Sequence, residues 1–412
     1  MAETQTPPID AAERRHVVKR KVLIIVENLP VPYDTRVWKQ ARSLREYGYT
    51  TTVLCPKGGR DEKWYECLEG VHIYRHPMPP EMSGPPGYIF EYSCALFWEF
   101  LFSWWIYFRR GFQVIQGCNP PDDIFLVALP FKLLGVSYIF DQHDANLELY
   151  IWKFSRRDLF YRAQALLERL SYRCADAVIV TNESFKGLGM KRGGRDPGDI
   201  FVVRNGPDLD TFQAVAPIET LKHGKPYLVG YVGNMSDQDG LEMLLDVACY
   251  LRDSGRKDIH FTCIGGGPAL PGLRKTVNER GLGDTVNFTG RLVGRPLLEI
   301  LSTADICVSP DVPCELNQIS TMVKIMEYMA LGKPIVQFDL KEGRFSAGEA
   351  SLYASDRNMP VDFAGKILWL VEHPEERQRM GEIGRRRVEQ ELAWKFSVKN
   401  YLAAYERVLA SR

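Results

Sequence analysis

Short apolar segments alternate with helical segments along this chain, and the alternation runs twice. In the first half, segments with the character of buried strands are found at 21–27, 50–55, 71–75, 113–116, 138–141 and 177–181. The second half repeats the pattern at 227–233, 259–265, 285–290, 306–309 and 334–338. Strands that alternate with helices favour a parallel sheet covered on both faces. The sequence therefore predicts an α/β protein with two doubly wound domains, which we expect to face each other across a cleft.

The length of 412 residues also suits two domains. A turn-rich, weakly periodic stretch at 207–226 predicts the boundary between a first domain of 21–206 and a second of 207–390. The opening residues 1–20 are polar and lack the apolar core of a signal peptide, so a flexible tail is expected there.

Charge and cysteine usage narrow the functional classes. The chain has 52 Lys and Arg residues against 52 Asp and Glu residues, and this balance argues against a nucleic-acid-binding protein, which needs a basic excess. Its nine cysteines are scattered, without a CxxC pair or zinc spacing. We therefore expect buried free thiols in a cytoplasmic protein, and no metal or cofactor.

In the second half, two glycine-rich loops follow predicted strands. Gly233 and Asn234 follow one strand, and Gly265 opens a run of three glycines after the next. Small residues let the backbone approach a ligand, and a helix N-terminus offers N–H groups to a phosphate. The bland alternative is an ordinary strand-to-helix turn. Neither loop has the GxGxxG fingerprint, which argues against an NAD-dependent oxidoreductase.

A second candidate for phosphate binding lies near residue 320. Ser320 and Thr321 are predicted to cap the N-terminus of a helix that carries Lys324 and Glu327 on one face. Such an arrangement suits a diphosphate at the cap and the lysine, and a ribose diol at the glutamate. Alternatively, Lys324 and Glu327 form a surface ion pair.

Polar residues also follow strands of the first half. His143 and Asp144 come directly after the strand IFD, where the imidazole could transfer a proton and the carboxylate could orient it. Asp34 and Arg36 lie in the first loop and first helical turn, with the guanidinium expected to point towards a ligand. Arg204 ends the last strand of this half. A structural hydrogen bond remains an equal alternative for His143.

The segment 96–112, LFWEFLFSWWIYFRRGF, is unusually rich in aromatic residues. Its apolar run is shorter than the roughly 20 residues that span a bilayer. Two interpretations remain open. The segment is either a helix buried in the core of the first domain or an interfacial helix whose rings lie among lipid headgroups beside Arg109 and Arg110.

Five stretches taken together resemble a glycosyltransferase of the GT-B fold, in the retaining family 4. They are VENLPVPYDTRVWKQARSLREYGYTTTVLCPKG, IFDQHD, VVRNGPDLDTF, GYVGNMSDQDGLEMLL and KIMEYMALGKPIV, in the order typical of that family. The resemblance implies that the second domain binds a nucleotide-sugar donor and the first binds the acceptor. It also implies that a final helix, within 391–412, crosses back to the first domain.

Carried over position by position, the resemblance gives Glu327 the contact to the donor ribose and His143 a place near the reaction centre. It places Leu292 where a backbone group contacts the base. The sequence departs from the family in lacking the first glutamate of the E-x7-E motif, where Ile319 stands. It also lacks the usual Arg and Lys after GYVG, so Lys324, Arg204 and Arg36 are predicted to hold the diphosphate instead, with Ser320 and Thr321 as neutral donors.

The predicted function is transfer of a sugar from a nucleotide-sugar to a saccharide or lipid-linked saccharide, with a UDP-sugar favoured over a GDP-sugar and with retention of configuration. A nucleotide-sugar 2-epimerase or a non-catalytic nucleotide-sugar-binding partner are the alternatives. Because such enzymes often act on lipid-linked sugars, the resemblance favours an interfacial role for 96–112 at the inner face of the cell membrane.

Overall fold

The computed structural model describes residues 20–58, 63–78 and 85–410, so the predicted flexible tail lies almost wholly outside the described residues. The chain forms two compact units. Unit 1 comprises Met1–Leu147, Arg156–Val203 and Val398–Arg412, and unit 2 comprises Glu148–Ser155 and Arg204–Ser397.

Unit 1 is built on an eight-stranded sheet with the order β3-β4-β2-β1-β5-β6-β7-β8. Its strands are β1 (Lys21–Val26), β2 (Thr50–Pro56), β3 (Tyr65–Leu68), β4 (Val71–His76), β5 (Val114–Cys118), β6 (Ser137–Gln142), β7 (Ala177–Val180) and β8 (Ile200–Val202). All neighbours pair in parallel except β3, which pairs antiparallel with β4 at the edge. The strand β1 lies between β2 and β5 and is almost wholly buried, as its KVLIIV sequence requires.

The helices that begin in unit 1 are α1 (Thr35–Glu46), α2 (Pro85–Arg110), α3 (Phe125–Leu133), α4 (Asn146–Phe154), α5 (Leu159–Cys174) and α6 (Glu183–Gly193). The last helix of the chain, which we call α15 (Trp394–Ala410), belongs to unit 1 from Val398 onwards. It is anchored there by Tyr401 and Tyr405, whose hydroxyls both donate to the side-chain oxygen of Gln116 on β5. The final segment was predicted to return to the first half, and these bonds fasten it there.

Unit 2 contains a six-stranded parallel sheet with the order β11-β10-β9-β12-β13-β14. Its strands are β9 (Tyr227–Asn234), β10 (Ile259–Gly266), β11 (Val286–Gly290), β12 (Ile306–Ser309), β13 (Ile335–Phe338) and β14 (Ser351–Ala354). Its helices are α7 (Leu241–Asp253), α8 (Leu270–Glu279), α9 (Arg295–Thr303), α10 (Glu315–Ile319), α11 (Val323–Ala330), α12 (Lys341–Ala347), α13 (Met359–Glu372) and α14 (Pro374–Arg387). Apolar clusters cover both faces of the sheet.

The aromatic segment forms most of α2, which has a buried side and an exposed side. Glu99, Ser103 and Ile106 are buried, whereas Phe97, Trp105 and Phe108 are exposed, the last by 79%. A buried helix is apolar all round, so the interpretation of 96–112 as a core helix does not hold for the exposed rings. No helix in the described part of the chain is both long and apolar enough to cross a membrane.

All nine cysteines are free thiols, as predicted. Four are buried, among them Cys118 on β5, but Cys67 on the edge strand β3 is exposed. The expectation that the thiols are buried therefore fails at this edge, where one face of a strand meets solvent.

Candidate functional site

The two glycine-rich loops of unit 2 touch each other at the ends of β9 and β10. Gly265 has a φ of +141°, and a Cβ atom there would collide with the carbonyl oxygen of Gly233. A Cβ atom on Gly267 would approach the backbone of Met235. Only glycine allows this backbone contact, so the glycines do more than terminate strands. They form an open backbone surface at the carboxyl edge of the sheet, where ligands bind in such folds.

Lys324 lies beside this surface, near the N-terminus of α11. Its Cε atom is 3.5 Å from the Cβ position of Gly233, and its Nζ atom lies 4.8 Å above the ring of Tyr231. The ammonium donates to both carboxylate oxygens of Asp311, at 2.8 and 3.0 Å. Lys324 is 8% exposed and Asp311 1%. The partner of Lys324 is thus Asp311, which follows β12, so the alternative of a Lys324–Glu327 surface pair is excluded.

A second carboxylate faces the same ammonium. The pKa of Asp239 is raised to about 6, chiefly by burial; Lys324 lowers it and Asp311 raises it. Asp239 closes the loop after β9 by accepting from the backbone N–H of Ser236. In the same loop, the Asn234 amide donates to the Ser236 hydroxyl over 2.9 Å. Lys324 is therefore a cation beside two carboxyl groups, with Asp311 in direct contact and Asp239 within electrostatic reach.

The predicted cap at Ser320 and Thr321 was wrong. Met322 is the N-cap residue of α11 and makes no side-chain cap bond. Ser320 instead ends the short helix α10, and its hydroxyl donates to the carbonyl of Leu316 at 2.7 Å. The helix begins later than predicted because the sequence NQIS belongs to a separate helical turn that ends before α11 starts.

The other predicted donor residues lie at separate points of unit 2. Glu327 is half-buried on α11. Leu292, after β11, packs with Met322 against the apolar cluster that contains α11. The guanidinium of Arg204 lies 3.3 Å from a carboxylate oxygen of Glu342 and 4.0 Å from the ring centre of Phe345. Arg204 therefore also has a carboxylate partner, which lowers the positive charge it can offer a diphosphate.

In unit 1, the functional candidates converge on Asp141, the fully buried residue near the end of β6. One carboxylate oxygen accepts from Arg36 at 3.0 Å. The other accepts from the amides of Gln40 and Gln116, at 2.7 and 2.8 Å. Burial alone would raise the pKa of Asp141, but His143, Arg36 and these hydrogen bonds hold it well below its ordinary value. The carboxylate of Asp141 therefore stays ionised, and this buried anion lies beside the loop that carries His143.

His143 contacts this anion directly, since its Nε2 atom lies 2.9 Å from the carboxylate of Asp141. We predicted that Asp144 orients the imidazole, but the carboxylate within contact distance is Asp141, and Asp144 is exposed. Asn119 holds this loop in place. Its side-chain oxygen accepts from the backbone N–H groups of His143 and Asp144, at 2.6 and 3.2 Å. Asn119 in turn donates to the buried Asp122.

The structure corrects the roles predicted for Asp34 and Arg36. Asp34 is the N-cap residue of α1 and accepts from the backbone N–H of Arg36 and Val37. Arg36 is 5% exposed and donates to the carbonyl of Val203 as well as to Asp141. Its guanidinium therefore does not point at a ligand. A buried arginine needs a paired anion, and Asp141 supplies it.

Cys118, Asp141 and His143 have ligand atoms close enough to hold a metal ion. The carboxylate of Asp141 is already committed, with one oxygen accepting from Arg36 and the other from the amides of Gln40 and Gln116. We therefore assign no metal to this group.

Two stretches of the chain match known protein families. Residues 33–206 match the family described as "Glycosyl transferase 4-like domain", and residues 226–373 match the family described as "Glycosyl transferases group 1". With the two parallel sheets, these matches show that the chain belongs to the GT-B glycosyltransferases. The predicted fold of two Rossmann-like domains is confirmed.

The named relatives match this chain over only part of its length. The α-D-kanosaminyltransferase of Streptomyces kanamyceticus is 30% identical over 157 residues, which are 38% of this chain and 39% of that protein. The 2-deoxystreptamine glucosyltransferase of the same organism is 26% identical over 215 residues, 50% of this chain and 54% of that protein. The match thus spans about two fifths to one half of the length of these relatives.

Solved structures share the fold over nearly the whole chain. Sucrose-phosphate synthase from Thermosynechococcus elongatus has a TM-score of 0.74 at 18% identity, covering 95% of this chain and 100% of that one. HepE from Anabaena, solved in complex with UDP and glucose, has a TM-score of 0.70 at 14% identity, with coverages of 95% and 100%. At these identities the likeness concerns the fold.

Proposed function

We propose that this protein transfers a sugar from a nucleotide-sugar, most readily a UDP-sugar, to a saccharide or lipid-linked saccharide, with retention of configuration. The observation that carries this proposal is the contact of the Gly233 and Gly265 loops beside Lys324 at one edge of the unit 2 sheet. Open backbone next to a buried cation suits a diphosphate. That HepE was solved with UDP and glucose supports the choice of base.

In this proposal, Lys324 stabilises the charge that develops on the leaving nucleoside diphosphate as the glycosidic bond loosens. Glu327 accepts hydrogen bonds from the ribose, and the backbone near Leu292 contacts the base. The other donor-side residues are Arg204, Gly233, Asn234 and Gly265. His143, held by Asp141, orients the acceptor hydroxyl or the donor sugar, since a neighbouring carboxylate fixes the ring.

Thermal stabilisation by nucleotides tests the donor assignment. A ligand that binds only the folded protein raises its stability by about 2.7 kcal/mol at a hundredfold excess over Kd, so we expect UDP to raise Tm clearly, GDP less, and NAD not at all. A parallel screen of nucleotide-sugars with mass detection of a glycosylated lipid acceptor measures transfer.

The outcomes separate the candidate functions. A rise in Tm with NAD alone would refute the proposal. UDP binding without acceptor-dependent UDP release would favour a binding partner, and an altered free sugar nucleotide would favour an epimerase.

An apolar groove on unit 1 supports the lipid-linked form of the acceptor. It has a volume of about 380 Å³ and is lined by aromatic and aliphatic side chains of β3 and α2, namely Trp64, Tyr65, Leu101, Phe102 and Trp105. Cations lie on these rings: the ammonium of Lys57 is 3.6 Å from the ring centre of Trp64, and Arg110 donates to the Tyr65 hydroxyl over 3.0 Å. Apolar lining with cationic neighbours suits an acyl or prenyl chain that carries a phosphate.

The exposed apolar side chains of α2 and α3 test the membrane contact. We expect Phe97→Ser, Phe108→Ser and Leu133→Ser in one chain to reduce binding to anionic liposomes at least tenfold in a sedimentation assay, since each removes exposed apolar area from the interface. A matched control carries Leu159→Ser and Met190→Ser, which are exposed apolar residues of α5 and α6. Equal liposome binding by both variants and the parent would contradict the contact.

Trp104 is left unchanged in this test. Its ring packs 4.4 Å from that of Phe131 on α3, and Arg110 bonds the Tyr74 hydroxyl. Replacing either residue would disturb packing within unit 1 as well as any lipid contact, and so would not separate the two effects.

A further inference from the structure

A buried carboxylate on α2 points at two other ionisable side chains. Glu99 is fully buried, and neither of its carboxylate oxygens has a hydrogen-bond partner among the described residues. The ligand atoms of Glu99, Glu27 and His76 all lie within 4.8 Å of one another. Glu27 follows β1 and His76 ends β4, so the three side chains meet at the carboxyl edge of the unit 1 sheet.

The imidazole of His76 is oriented as in a metal ligand. Its Nδ1 atom lies 2.9 Å from the carbonyl oxygen of Pro77, and because a carbonyl only accepts, Nδ1 must carry the proton. On the other side of the ring, Nε2 lies 3.1 Å from the carboxylate of Glu27, and a metal ion bound there would take the place of a proton on Nε2. A backbone carbonyl behind the opposite ring nitrogen is the usual support of a metal-binding histidine.

A buried carboxyl group whose two oxygens both lack a hydrogen-bond partner is costly, and a cation bound among the three side chains would satisfy it. A third carboxyl, that of Asp123, adds to the negative field of Glu27 and Glu99. No Lys or Arg forms an ion pair with Glu27 or Glu99 in the described part of the chain. The cluster therefore lacks a basic side chain able to neutralise both glutamates.

We propose that Glu27, His76 and Glu99 bind a divalent transition-metal ion, Zn²⁺ or Mn²⁺. One imidazole and two carboxylates form a donor set that such ions accept. Ligand atoms that are each about 2.1 Å from a zinc ion are about 3 to 4 Å apart. The Nε2 atom of His76 and the carboxylate of Glu27 are 3.1 Å apart, and all three ligand atoms lie within 4.8 Å of one another. A divalent ion also neutralises the two glutamates.

The bound ion fastens α2 to the sheet. Through Glu27 and His76 it joins the ends of β1 and β4 to Glu99 on the buried side of α2. The exposed side of the same helix carries Phe97 and Phe108. A bound ion accounts for the inward orientation of Glu99. Metal content and Tm are the quantities that test this site, so its test does not depend on transfer activity.

Metal content of the full-length protein tests this proposal. After dialysis against a chelator and reloading with Zn²⁺, we expect one tightly held equivalent per chain by elemental analysis, and a rise of several degrees in Tm on adding Zn²⁺. Co²⁺ in place of Zn²⁺ is expected to give visible absorption bands from the bound ion. Absence of both stoichiometric zinc and a Co²⁺ spectrum would overturn the proposal and leave a protonated His76–Glu27 pair.

Glu99→Gln separates metal binding from folding. The variant removes a buried charge without changing the side chain's size, so the metal-free variant should fold at least as well as the metal-free parent. We expect it to lose the zinc equivalent, with affinity at least tenfold lower, and to lose the Zn²⁺-dependent rise in Tm. Glu46→Gln, which replaces an exposed carboxylate on α1 outside the ligand group, should keep both. Zinc binding by Glu99→Gln equal to that of the parent would also overturn the assignment.

Discussion

Replacing Lys324 with methionine is expected to lower kcat for sugar transfer by about 100- to 1,000-fold, the usual effect of removing one preorganised group that stabilises developing charge. The ammonium is the one cation among the predicted donor residues that lies against the Gly233 loop. The change should also abolish the rise in Tm caused by UDP. Both quantities are measured on the purified full-length chain.

The fold itself must be controlled for in that experiment. Without the ammonium, Asp311 becomes a buried unpaired charge, which typically costs about 3 to 5 kcal/mol of stability. We therefore expect Lys324→Met to lower Tm, and the double variant with Asp311→Asn to recover most of it. The double variant should still transfer sugar poorly, because it regains stability but still lacks the ammonium of Lys324.

Lys333 offers a control for the loss of a lysine in the same unit, although it is only half-buried. Its ammonium donates to the carbonyl of Ser302, and burial lowers its pKa. Lys333→Met should reduce stability yet leave the nucleotide-induced rise in Tm intact. If Lys324→Met with Asp311→Asn transferred sugar at the parent rate, the assignment of Lys324 to the diphosphate would be wrong.

The fold was largely predictable because each buried strand of a parallel sheet is a short apolar run between turn signals. β1 and β9 were predicted to within one residue. The exceptions lie at sheet edges. β3, with the sequence YECL, pairs antiparallel with β4 and is mostly exposed. The other edge strands, β8 and β14, are only three and four residues long, too short for a clear apolar run.

The candidate site was less predictable, because its charged side chains form ion pairs with residues that are far away in the sequence. Arg36 and Asp141 are 105 residues apart, and Arg204 and Glu342 are 138 apart. Residue spacing revealed the cations but not the carboxylates that neutralise them. Asp311 alone had a readable signal, since it follows the strand β12 directly, at the edge where polar residues meet ligands.

The carboxylate of Asp141 is expected to contribute the largest single pH-dependent term to the stability of unit 1. Its pKa in the folded chain lies well below its unfolded value of about 3.9. The ionised group therefore stabilises the fold at pH values above about 4, and this contribution is lost progressively as the pH falls below that value. The Asp141→Asn variant should lack this stabilising contribution at every pH.

Asp141→Asn is thus expected to lower the free energy of unfolding at pH 7 by about 3 to 5 kcal/mol, since it leaves Arg36 buried without its anion. The difference from the parent should shrink as the pH falls below about 4, which urea titrations across pH can measure. Adding Arg36→Met removes the orphaned charge, so the double variant should recover much of the loss at pH 7. The double variant still lacks the carboxylate beside His143, and transfer should remain impaired. A pH-independent difference between Asp141→Asn and the parent would show that the carboxylate acts through packing and not through its charge.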